Sequence, residues 1–82
     1  MGKRKLVTRA ALNALLTERV QAIDDMQGTT ISVSYLLTDP PEGSPNWADV
    51  VVQAGPSTTA EQAAAAAGRV VKDFQALYDV SD

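Results

Sequence analysis

Two short runs of alternating apolar and polar residues lie at the centre of the chain, with a helical pattern on each side of them. In the first run, 29–37, Ile31, Val33, Tyr35 and Leu37 are apolar while Thr30, Ser32 and Ser34 are polar; Leu36 breaks the alternation. A period of two marks a strand with one buried face, and β-branched and aromatic residues suit such a surface. In the second run Ala48, Val50, Val52 and Ala54 share one parity, and Asp49, Val51 and Gln53 share the other. The pattern predicts strands over about 30–37 and 47–54, joined by a loop over 38–46 that is stiffened by Pro40, Pro41 and Pro45. The loop has no Asn-Gly or Asp-Gly pair, so it is not expected to be a tight two-residue turn. A hairpin must bring both apolar sets to one side, because a slip of one residue reverses every side chain. The register that does so with a short loop sets Tyr35 opposite Val50 and Val33 opposite Val52.

Before the hairpin, Leu12, Leu15, Leu16, Ile23 and Met26 recur at helical spacing. Thr8 is the expected N-cap, with Val7 and Leu12 flanking it as a hydrophobic staple. Gly28 is the expected left-handed stop, which gives a helix over about 8–27. After the hairpin, Gly55-Pro56-Ser57 breaks the strand, and Thr58 with Glu61 matches a capping box. A second helix is expected over about 58–78. Its stripe is Ala63, Ala64, Ala67, Val71, Phe74 and Tyr78, broadened by Val70 and Leu77. Gly68 costs about 1 kcal/mol against alanine in a helix interior, so its expected use is close approach of a neighbouring backbone.

An isolated two-stranded hairpin is marginal in water, and each helix has a stripe to bury. The expected fold is therefore α+β: a two-layer α-β-β-α domain over 8–82, with an antiparallel β-hairpin and two antiparallel helices packed on one of its faces. Residues 1–7 are read as a basic arm. The first strand carries no charge or proline, so the usual guards of a sheet edge are missing. That edge suggests a second copy of the chain as partner, a homodimer with Ile31, Val33 and Tyr35 at the contact. Leu36, Val51 and Trp47 form a candidate contact patch on the open face of the sheet. Trp47 has an alternative use, folding over the open end of a small core.

Composition narrows the chemistry. The 82 residues carry a net charge of −3 and contain no cysteine or histidine. Disulfides, thiolate zinc sites, cysteine nucleophiles and histidine-based triads are thereby excluded. The glycines match no phosphate-binding loop, the Asp24-Asp25 pair lacks the ladder of a calcium loop, and no carboxylate pair has a spacing that specifies acid/base work. No cofactor and no metal are expected, and no enzymatic activity. No run is long and apolar enough to span a bilayer, so a membrane is not an expected partner and a cytoplasmic setting is the default. Four of the seven basic residues, Lys3, Arg4, Lys5 and Arg9, fall in the first nine positions. From Ala10 onward three basic residues stand against ten acidic ones, a balance of −7. Those four cations are candidate phosphate contacts, and an accessory nucleic-acid-binding role is the alternative to the leading expectation. The leading expectation is a small non-enzymatic protein-interaction module that self-associates through a hairpin edge.

Overall fold

Leu12, Leu16 and Val20 form the stripe of the first helix, and all three are fully buried in a computed structural model that describes residues 4–34 and 36–81. The elements in chain order are β1 (Lys5–Val7), α1 (Arg9–Gln21), β2 (Thr30–Val33), β3 (Val50–Gln53), α2 (Ala60–Gln75) and β4 (Tyr78–Val80). The fold is mixed α+β, with an antiparallel β2–β3 hairpin and, beyond the expected elements, a parallel pair of β1 with β4. The α1 stripe meets Ile31 and Val33 of β2 and Ala66, Ala67, Val70 and Val71 of α2 in one core. Thr30 and Ser32 point outward, so both helices lie on the same face of the hairpin.

The helices run antiparallel. After α1, the turn carrying Asp25 accepts a hydrogen bond from the Thr58 hydroxyl, next to the start of α2. At the other end β1, which leads into α1, pairs with β4, which follows α2. The alanines of α2 sort by face: Ala63, Ala66 and Ala67 are buried, whereas Ala64 is exposed. Leu77, expected to broaden the stripe, is exposed, and Phe74 and Tyr78 are only half-buried, with ring centroids 5.5 Å apart.

Several boundaries differ from the sequence expectation. Thr8 caps α1 through its hydroxyl, which accepts from the Ala11 N–H at 3.1 Å. The helix nevertheless stops at Gln21 and not near 27. Ile23 donates to Val20, Met26 to Ile23 and Thr29 to Met26, each at 3.1 Å. Successive three-residue turns of this kind keep Ile23 and Met26 on the core side just as a helix would. Asp25 takes the left-handed conformation (φ 68°), which aspartate tolerates better than most residues. Gly28 is left-handed as well (φ 82°). At α2 the cap is Thr59 with Gln62, one position beyond the expected pair, and both bonds of the capping box form. Thr58 is drawn away by the carbonyl of Asp25.

The register also differs. Val33 lies opposite Val50 and Ile31 opposite Val52, two positions from the short-loop expectation, which preserves the faces but lengthens the connection. The same register continues outward to an isolated bridge between Leu36 and Trp47. The side-chain phase changes on the way, because Ala48 and Asp49 are both exposed while Trp47 is buried. This longer pairing carries Trp47 into the core, where its indole N–H donates to Tyr78 O at 3.0 Å.

The expected arm over 1–7 is, in its described part, structural. Lys5 lies opposite Tyr78, Leu6 opposite Asp79 and Val7 opposite Val80. Tyr78, expected at the end of the second helix, thus begins a strand. The Arg4 guanidinium closes the C-terminus of α2, donating from Nε to Gln75 O at 2.5 Å and from a terminal nitrogen to Gly43 O at 2.9 Å. A cation there complements the helix dipole.

Candidate interaction site

The ladder between β2 and β3 decides which backbone groups face outward. Ser34 donates to Asp49 O at 3.0 Å, and hydrogen-bonded pairs alternate along an antiparallel ladder. Ile31 and Val33 therefore turn their N–H and C=O groups away from β3, and Val50 and Val52 turn theirs away from β2.

Both outward N–H groups of β2 and the Ile31 C=O are met by a row of uncharged polar side chains on α1. Asn13 Oδ1 accepts from Val33 N–H at 2.7 Å. Thr17 Oγ1 accepts from Ile31 N–H at 3.0 Å and donates to Ile31 O at 3.1 Å. Gln21 Nε2 donates to Thr29 O at 3.0 Å. Residues four apart stack on one helix face, so Asn13, Thr17 and Gln21 run along the strand as a second strand would. The edge that sequence reasoning left bare is covered by the chain itself. The missed signal was this polar row, set directly beside the apolar row of Leu12, Leu16 and Val20. The shallow groove along α1 and β2 is lined by Asn13, Thr17 and Gln21, which already bond to the strand, together with Glu18, Thr30 and Ser32.

A side-chain amide closes β4 on the side away from β1. Asn46 Nδ2 donates to Val80 O at 2.7 Å, and Val80 N–H donates to Asn46 Oδ1 at 2.8 Å. Trp47 adds its bond to Tyr78 O, and Gln75 Nε2 donates to Trp47 O at 3.0 Å. Asn46 and Trp47 together do what a third strand would do beside β4.

The outward backbone groups of Val50 and Val52 have no hydrogen-bond partner among the described residues. On the outer face above them Val51 is 59% exposed. No charge or proline stands within Val50–Gln53, and Asp49 flanks it. Of the two edges of the β2–β3 hairpin, the open one is therefore that of β3.

The candidate contact residues divide accordingly. Ile31 is 1% exposed and Val33 is buried, both facing the helices. Trp47 is 0% exposed and Leu36 packs half-buried on the core, so the expected open-face patch of Leu36, Val51 and Trp47 reduces to Val51. Tyr35 lies outside the described residues. Of the candidate phosphate contacts, Lys3 also lies outside them, Arg4 holds Gln75 and Gly43, Lys5 is exposed on β1, and Arg9 is engaged within the chain. Among the described residues, Arg4, Lys5 and Arg9 do not form one free cluster. Among the described residues no group of three or more carboxylates could hold a metal ion, no buried side-chain polar atom lacks a partner, and no helix is long and apolar enough to cross a membrane. Comparison with protein-family models, with characterised proteins and with solved structures finds no match to this chain.

Proposed function

We propose that the chain is a small non-enzymatic protein-interaction module that self-associates through the open edge of its hairpin, β3. The observation that carries this reading is the contrast between edges. Side chains of the same chain fill the far side of β4 and meet the Ile31 N–H and C=O and the Val33 N–H on the outer edge of β2, while among the described residues Val50 and Val52 present only unpaired donors and acceptors. A bare edge of this kind is a template for another strand, and a second copy supplies an identical edge, which a two-fold axis can match to itself.

The test is sedimentation equilibrium at several protein concentrations, on the native chain and on Val51→Lys. Val51 is exposed, so the substitution leaves the core in place. Lysine on an edge strand is a common guard against pairing. The expected result is a concentration-dependent dimer for the native chain and a monomer, with unchanged helix content, for the variant. A native chain that stays monomeric into the high micromolar range would refute the reading.

A further inference from the structure

Gly68 sits inside α2, where glycine weakens a helix, yet a methyl group built on it would meet nothing within 4 Å. No neighbour among the described residues uses the close approach that this glycine permits. The same flank of α2 carries Ala60 and Ala64, both exposed, about two turns and one turn before it. Across the helix, Gln62, Ala66 and Arg69 line a groove with Ile23 and Met26 from the turn after α1. The small-residue flank therefore faces away from that turn. It ends at Gln75, which bonds to Trp47 O just ahead of β3, so it runs beneath the open side of the sheet.

From this arrangement we infer that two copies join about one two-fold axis that passes beside Val51 of β3 and between the two α2 helices at the level of Ala66, giving a four-stranded sheet over a pair of antiparallel α2 helices. The inference rests on the self-association proposed above and specifies its surface.

Each layer indicates the same axis independently. In the sheet, centring on Val51 sets Val50 opposite the partner's Val52, and Val52 opposite the partner's Val50. This register satisfies every outward group of β3 within Val50–Gln53. It sets the half-buried valines side by side on the inner face, and it places Asp49 opposite the partner's Gln53, so that no like charges meet. In the helices, centring on Ala66 sets Ala64 against the partner's Gly68, where small residues allow close backbone approach. It also brings Glu61 beside the partner's Lys72. Both are exposed and lie on one side of α2.

Chain lengths set the two centres level with each other. Gln75 bonds to Trp47, and Val51 lies four residues from Trp47, at most about 13 Å at the rise of a strand. The same distance along α2 is about nine residues at the rise of a helix, and nine residues back from Gln75 is Ala66.

The chain has no cysteine, so single-cysteine variants report the register directly. In the inferred dimer Val51 faces the partner's Val51 in a non-hydrogen-bonded pair, with Cα atoms about 4.5 Å apart, a separation that a disulfide spans. The two Gln53 residues are offset by four positions, about 13 Å, beyond disulfide reach. Under mild oxidation Val51→Cys is expected to form a covalent dimer at least about tenfold faster than Gln53→Cys, because a paired thiol meets a much higher effective concentration. Gly68→Leu is expected to keep its helical circular dichroism and to raise the dimer Kd by about tenfold or more, through overpacking at the helix contact. If the native chain dimerises but the two cysteine variants cross-link alike, or Gly68→Leu dimerises as the native chain does, this surface is wrong and self-association stands. A native chain that remains monomeric overturns both.

Discussion

Gly55 and Gly68 are the same residue in opposite situations. A methyl group on Gly55 would come within 2.0 Å of Gln27 O and 2.9 Å of the Gly28 carbonyl carbon, so the two backbones touch only because that residue has no side chain. Its N–H also donates to the buried Thr29 hydroxyl at 3.2 Å. Gly55→Ala is expected to lower unfolding stability by about 3 kcal/mol or more, since backbone has to move to relieve the clash. Gly68→Ala, measured at a dilution where the chain is monomeric, is expected to raise stability by up to about 1 kcal/mol, because alanine is the better helix former and the space is open. Urea unfolding of both variants checks the contrast. The sequence marks each glycine as a break or a cost, but local pattern says nothing about what lies opposite it. That the backbone bared at Gly68 has no neighbour among the described residues, while that at Gly55 does, emerges only once the fold is assembled. The same holds for Asn46, whose amide mimics a peptide group to Val80 across 34 positions of chain.

At the level of elements, α1 performs two tasks with two adjacent rows. Leu12, Leu16 and Val20 build the core, and Asn13, Thr17 and Gln21 serve the edge of β2. Thr17→Val keeps the shape and the β-branching and removes the hydroxyl that both accepts from and donates to Ile31. Leaving those backbone groups unpaired is expected to cost about 1–3 kcal/mol, read from urea unfolding, and to speed exchange of the Ile31 amide. The apolar row was legible because burial imposes a period that composition records. The polar row was not, because a partly buried asparagine or threonine looks the same in sequence as one that faces water. β1 and β4 were illegible for another reason. Three residues are too few to establish a period of two, and their parallel partners lie at opposite ends of the chain. The cap of α2 was legible only to within one residue, since Thr58 with Glu61 and Thr59 with Gln62 both fit the pattern and a bond from Thr58 to the distant Asp25 decides between them.

For the whole molecule, the β1–β4 pair and the Arg4 contacts tie the start of the described chain to its end, and the core joins both helices and the hairpin into one body. Two layers and two antiparallel helices follow from the four amphipathic patterns. Which hairpin edge stays open does not, because an edge is closed by whatever packs beside it. The absence of charge in β2, which suggests a partner strand when read alone, instead suits a strand bordered by uncharged amide and hydroxyl side chains. On the proposed reading, the chain closes the β2 edge itself and leaves the β3 edge for a second copy. Backbone amide hydrogen exchange across a dilution series tests it most directly. Slow exchange is expected at Ile31 and Val33 at every concentration, and exchange at Val50 and Val52 that is fast in dilute solution and slows as concentration rises. Fast exchange at Ile31 and Val33, or exchange at Val50 and Val52 that does not change with concentration, would contradict it.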